Sequence, residues 1–296
     1  THPASNDPKL QYLYGNMPTE KWHKEIWLGK LKEVIDQYDP DIIWFDSWLD
    51  EIPENYRYQF CKYYLHKAKE RGKETVIVRK EEDLPLSVSV ENLENSRKSD
   101  LHPLTWETDE TISYGSWSYT TDLKIKTSKH LIHELIDIVS KNGVLLLNIS
   151  PRASGEIPAD QQNVLLEIGT WLKQNGEAIY DTRTWYTYGE GPTKEPEGNI
   201  NNRKLFDALQ YTSEDYRFTK KGNTIYILSM GKPIVGSTIL VNAFAVTKMS
   251  NGKKVKRVSM LGSNKKVDWA METIGLKLSV PEVPNEISVV YKVEME

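Results

Sequence analysis

Asp41-Ile42-Ile43-Trp44-Phe45-Asp46 is an apolar run that ends abruptly in a carboxylate. Ile42 to Phe45 are the β-branched and aromatic residues of a fully buried strand. Just upstream, Trp22, Ile26, Leu31, Val34, Ile35 and Tyr38 recur at helical spacing, so residues 19–38 are expected as an amphipathic helix with Thr19, after Pro18, as its N-cap. Asp39-Pro40 ends that helix and the strand follows at once. In a parallel α/β barrel, an acid placed directly after a strand lies on the face where chemistry is done.

The same alternation continues downstream. Residues 54–71 present Tyr56, Phe60, Tyr64 and Ala68 on one helical side and close at Arg71-Gly72. Thr75 to Val78 reads as a short strand and Leu86 to Val90 as another extended piece. Trp106 lies in an extended segment, followed by a loop through Ser113-Tyr114-Gly115-Ser116. Lys129 to Ser140 is a helix stopped by Asn142-Gly143, Val144 to Ile149 a buried strand, and Pro158 to Asn175 a further helix. Helices alternating with apolar strands predict βαβ units and a parallel sheet. After about residue 190 the pattern changes, with residues 189–203 reading as a linker. Short period-2 segments follow at 216–218, 224–228, 237–241, 255–261, 276–280 and 287–293, separated by turns such as Lys221-Gly222-Asn223 and Asn251-Gly252. The fold class is therefore α/β over residues 1–190, then an antiparallel β-sandwich over residues 191–296.

A chain of 296 residues, 27% charged and 39% apolar, buries a sizeable core. Its net charge of −4 argues against a nucleic-acid partner, which would favour a basic face. No apolar run approaches the roughly 20 residues needed to cross a bilayer as a helix. The single Cys61 can form no internal disulfide and no multi-cysteine metal site. Nine Trp and sixteen Tyr suit stacking on sugar rings, although large aromatics fill cores equally well. His130 and His133 share a helix face, but no carboxylate pair accompanies them at ligand spacing; solvated or capping roles are expected, and no metal or cofactor. Glu107 follows the apolar and aromatic Leu104-Thr105-Trp106, as Asp46 follows its own run. Two acids at the ends of two barrel strands are the parts needed for glycoside hydrolysis. Asp46 has the alternative of a strand-end cap or salt-bridge partner, and Glu91, Glu94, Asp109 and Glu110 are rivals to Glu107.

These residues resemble the α-L-fucosidases of glycoside hydrolase family 29. Asp39 to Asp46 looks like that family's nucleophile strand, and Trp106-Glu107-Thr108-Asp109 with Ser116-Trp117-Ser118-Tyr119 like its Trp-Glu segment and aromatic loop. Lys141 to Pro151 is the longest match, continued by Gly155, Ile157-Pro158 and Trp171 to Tyr180. In the β-domain, Leu261-Gly262-Ser263 and Gly275 to Leu278 fall at similar points. The resemblance implies a retaining exo-α-L-fucosidase acting on fucosylated glycans, with Asp46 as nucleophile and Glu107 as acid/base. It also implies substrate contacts from Trp44, Arg97, Trp117 and His2, with Trp48 a weaker candidate at the rim. Secretion, or a periplasmic or lysosomal location, follows from the family alone. Pro151-Arg152-Ala153-Ser154-Gly155 departs from the family's usual Pro-Arg-x-Asp-Gly, away from both acids. Family members also carry about half a barrel, with a His-His segment, before the point where this sequence starts. Thr1 to Pro8 has no preceding Met, so the chain is expected to be the C-terminal part of a longer polypeptide, its missing N-terminal half being a partner needed to close the barrel. The competing expectation is a carbohydrate-binding relative of the same fold without turnover.

Overall fold

The computed structural model describes residues 7–10, 17–194, 196, 203–249 and 254–296. The chain divides into two compact units, Thr1–Asn92 and Leu93–Glu296.

In the first unit, helix α1 starts at Thr19–Lys21, passes through a π-helical stretch at Trp22–Trp27 and continues as Leu28–Tyr38. Thr19 is the first helical residue and not the cap. Pro18 precedes it with no side-chain cap, and the Trp22 N–H donates to Pro18 O at 3.0 Å. Asp39 ends the helix in the left-handed region (φ 48), which the short polar Asp side chain tolerates. Then come β1 (Ile42–Trp44), α2 (Glu54–Arg71) and β2 (Val76–Arg79). The strands pair in parallel, with Ile42 opposite Val76, Ile43 opposite Ile77 and Trp44 opposite Val78. The helices cover one face only. Leu28, Ile35, Phe60, Tyr64 and Ile77 form the core there, with Ile43 and Phe45 packed against it. On the other face Ile42 is 56% exposed, so β1 is not the fully buried strand its composition predicts. Side chains alternate across a strand, and only every second one meets the helices. The strand expected at Leu86 to Val90 instead runs as β3, Val90–Glu94, because Pro85 starts a turn closed by the Val88 N–H.

The second unit opens on β4 (Trp106–Thr111), a two-residue hairpin of β5 (Ser113–Tyr114) and β6 (Lys124–Ile125), α3 (Ser128–Ser140) and β7 (Gly143–Asn148). The Thr127 side chain caps α3 by accepting from the His130 N–H. β4 and β7 are parallel, Trp106 opposite Gly143 and Glu107 opposite Val144. A Cβ on Gly143 would meet both Trp106 Cζ2 at 2.6 Å and Ile138 of α3 at 2.7 Å, so position 143 requires glycine and its face is the one turned to α3. By alternation Glu107, Asp109, Val144 and Leu146 lie on the opposite face. Val144 and Leu146 are exposed there, whereas β7 was expected to be buried.

Helix α4 (Ala159–Asn175) leads to β8 (Gly189–Glu190), the short α5 (Arg203–Asp207) and β9 (Tyr216–Lys221) to β15 (Val290–Met295). Two antiparallel sheets form, one of order β12-β15-β10-β9-β8 and one of order β11-β14-β13. Their strands are β10 (Thr224–Ser229), β11 (Thr238–Val241), β12 (Val255–Met260), β13 (Trp269–Glu272) and β14 (Gly275–Ser279). Phe218, Ile227 and Tyr291 from the first sheet join Val241, Leu276 and Leu278 from the second in one cluster. Gly222 (φ 57) makes the β9–β10 turn. Ile132 and Ile136 of α3 and Trp171 of α4 share a core with Tyr226, Leu228 and Val290.

Candidate active site

Asp46 is placed by β1 and by the register of its neighbour. Trp44 lies opposite Val78, and the Phe45 N–H donates to Val78 O at 2.9 Å. Two residues beyond that pair are Asp46 on one strand and Lys80 on the other, and they meet: Lys80 Nζ donates to Asp46 Oδ1 at 3.0 Å. The Ser47 N–H donates to the same oxygen at 2.9 Å. The Lys80 side chain is mostly buried, and its ammonium stands 5.2 Å over the Trp44 ring, a cation–π contact that fixes it. Partial burial of the Asp46 carboxyl opposes ionisation, but the Ser47 amide and the Lys80 charge outweigh it, and the group titrates below the ordinary Asp range. The sequence reading missed Lys80. Its signal was available only by counting the same distance past two strands assumed to be parallel neighbours.

Asp46 opens on a cavity of about 440 Å³ lined by Trp22, His23 and Trp27 of α1 and by Phe45, Trp48, Glu51 and Ile52, among others. His23, also missed, is buried against the Trp22 and Tyr56 rings. It belongs to the π-helical stretch, a distortion frequent at functional sites. Trp48 adopts a left-handed conformation (φ 74) and is 70% exposed at the cavity's edge. A bulky residue held at positive φ is a genuine outlier, and such strain concentrates where function demands it. Trp44 is not among the cavity's lining residues; its indole Nε1 is buried without a hydrogen-bond partner among the described residues.

In the second unit Glu107 is buried as the second residue of β4, not at the strand's end as expected; the strand runs on through Thr111. Trp106, fully buried, anchors it by donating from Nε1 to Lys141 O at 3.0 Å. Trp117 is half-buried, and its carbonyl accepts from Asn148 Nδ2 and Ser150 Oγ, both at 2.9 Å. Arg97 is 1% exposed, donating to Glu134 Oε1 of α3 at 3.3 Å and lying 4.8 Å over the Phe206 ring. His2 lies outside the described residues.

Around Glu134 is a buried charge network that the sequence did not announce. Lys126 Nζ reaches Glu110 at 2.8 Å, Asp207 at 3.1 Å and Glu134 at 3.4 Å. Burial opposes ionisation of Glu134, yet Lys126, His130 and Arg97 hold it well below the usual carboxylate range. Of the two histidines expected to be solvated or capping, His133 is buried and His130 is largely covered, its side chain 12% exposed. His130, Glu134 and Asp207 bring three donor atoms within 4.8 Å of one another. The Lys126 ammonium already supplies the cation these carboxylates need. A second buried group joins Asp137 of α3 to Lys141 at 2.7 Å and to Arg217 of β9.

Comparison with known proteins sets this geometry in a family. Residues 3–177 match the family model described as alpha-L-fucosidase. The chain is 28% identical over 270 residues to the tissue alpha-L-fucosidase of Bos taurus, covering 87% of this chain and 50% of the relative. It is 26% identical over 267 residues to the plasma alpha-L-fucosidase of Homo sapiens, covering 86% and 51%. It thus spans about half the length of the relatives it matches. Among solved structures, the Thermotoga maritima alpha-fucosidase in complex with fucose superposes with a TM-score of 0.69 at 23% identity, over 93% of this chain and 57% of that one. That likeness shows a shared fold. With the match extending over more than half its residues, the chain belongs to the α-L-fucosidase family.

Proposed function

We propose that this chain carries the catalytic carboxylates of a retaining exo-α-L-fucosidase that removes terminal α-L-fucosyl residues from glycans. On this reading residues 1–190 are the C-terminal part of a (β/α)8 barrel and residues 191–296 an appended β-sandwich. Asp46 attacks the anomeric carbon and forms a covalent fucosyl-enzyme while Glu107 protonates the departing oxygen; Glu107 then deprotonates the water that releases fucose. Trp44, beside the Lys80 ammonium, and Trp117 wall the sugar. Arg97 adds positive charge from within its buried network. The observation that carries the proposal is Asp46 itself: a carboxylate at a strand's end, kept ionised by Lys80 and the Ser47 amide, and open on a cavity walled by aromatic rings.

The test is made in the protein that carries this chain, at its natural length. Asp46→Gly is expected to abolish turnover of an aryl α-L-fucoside, and azide to restore it by forming the β-fucosyl azide. Glu107→Ala with azide is expected to give the α-fucosyl azide instead. An active Asp46→Gly enzyme refutes the nucleophile, and a Glu107→Ala enzyme that azide does not rescue moves the acid/base role to another carboxylate.

A further inference from the structure

We infer that Lys80 and the Ser47 amide clamp one oxygen of Asp46, Oδ1, so that the other, Oδ2, is the attacking atom, and that Lys80 receives the carboxylate's charge when the sugar leaves it. The inference rests on the nucleophile assignment above. Both donors meet Oδ1, at 2.9 Å from Ser47 and 3.0 Å from Lys80. Oδ2 has no hydrogen-bond partner among the described residues. Two donors on one oxygen fix the carboxylate plane and leave a single lone-pair-bearing atom open. Lys80 is itself held by the Trp44 ring and is only 10% exposed, so its ammonium is presented to Asp46 rather than to water.

The clamp acts unequally on the two halves of the reaction. In the first, the C1–Oδ2 bond forms, the bond from C1 to the leaving oxygen breaks, and the negative charge on Asp46 disappears. Lys80 therefore stabilises the starting state and gives little to this transition state. In the second, a water oxygen bonds to C1, the C1–Oδ2 bond breaks, and its electron pair returns to Asp46 as a carboxylate. Here the charge develops against a donor already in place, which is how preorganised groups lower a barrier. Lys80 is thus a positioning residue whose main effect falls on release of fucose from the enzyme.

The experiment compares Lys80→Met, Lys80→Gln and Lys80→Arg with the unaltered protein at its natural length, using an aryl α-L-fucoside with a good leaving group. Loss of one charge-assisted hydrogen bond is expected to slow release about 10-fold or more in Lys80→Met and Lys80→Gln. kcat and KM then fall together, kcat/KM changes far less, and the covalent fucosyl-enzyme accumulates in intact-mass spectra and as a product burst. Lys80→Arg keeps the charge and is expected to show little accumulation. The acid limb of kcat/KM moves to higher pH in the two neutral variants, because Asp46 loses the cation that helps keep it ionised; His23 and Glu51, which line the same cavity, are unaltered. Equal falls in kcat and kcat/KM without accumulation, or no change in either, overturn the clamp while leaving Asp46 as nucleophile. An active Asp46→Gly enzyme removes the nucleophile reading itself. Lys80→Gln, which retains a donor and much of the stem, carries the test if Lys80→Met does not fold.

Discussion

Two histidines one helical turn apart on α3 are shifted in opposite directions, and the stability of the second unit is expected to peak between their limbs. His130 lies 3.0 Å from Glu134 and 3.8 Å from Asp207. Burial and the nearby Lys126 oppose its charge, but hydrogen bonding to Asp207 and Glu134 prevails and raises its pKa to about 9. The Tyr114 ring is its other neighbour. His133 is buried against Tyr211 and near Lys129, His130 and Arg217. Burial drives its pKa down to about 4, so it stays neutral and donates from Nε2 to Ile287 O at 2.9 Å. A raised pKa contributes stability that is complete below the unfolded value near 6.5 and is lost as pH rises toward 9. A depressed histidine contributes stability that is complete above 6.5 and is lost as pH falls toward 4. At 1.36 kcal/mol per pH unit, each limb is bounded at about 3 kcal/mol, and about 2 kcal/mol of it is spent by pH 8 or by pH 5. For a unit of this size 2 kcal/mol is a fall of about 4–8 °C in melting temperature. Calorimetric melts from pH 5 to 9 are the assay, with His130→Gln and His133→Gln as controls. His130→Gln is expected to be less stable at pH 6.5 and to lose the alkaline limb alone, and His133→Gln to lose the acid limb alone. Persistence of the alkaline fall in His130→Gln would falsify the assignment, since its source would then lie elsewhere.

Other outcomes follow from the packing and from the proposed chemistry. Gly143→Ala drives a methyl to within 2.6 Å of the fully buried Trp106 ring and is expected to destabilise by about 1–3 kcal/mol in denaturant titrations. Asp137→Asn leaves the buried Lys141 and Arg217 without their shared counter-charge and is expected to cost about 3–5 kcal/mol, measured the same way. Glu107→Gln is expected to slow hydrolysis of fucosides with poor leaving groups by about 10²–10⁴-fold and of good ones much less; equal losses on both would point to a structural role for Glu107.

How much of this was legible in the linear sequence depends on the range of the interaction. The run from Ile42 to Phe45 marked a strand, and the helical spacing of Trp22 through Tyr38 marked its companion, because side-chain periodicity is a local property that the backbone geometry enforces. The hairpins of the β-domain were equally plain wherever a turn such as Lys221-Gly222-Asn223 separated two alternating segments. The carboxylate after the first strand could be nominated on the same grounds. Its partner could not. Lys80 lies in a polar stretch, Arg79 to Asp83, and only the pairing of Trp44 with Val78 sets it beside Asp46. The faces of α3 show the same limit. Leu131, Ile132 and Ile136 announced an inward side, but His130 and His133 were expected to be solvated or capping, and nothing marked Glu134 and Asp137 as buried. Glu134 and Asp137 are buried, and His130 largely covered, because Asp207 of α5 and Arg217 of β9 close over them, from elements that begin 63 residues or more beyond the helix's last residue. A charged helix face is stable in water or against opposite charge alike; which one it meets is a matter of what packs there, and that is written in the fold.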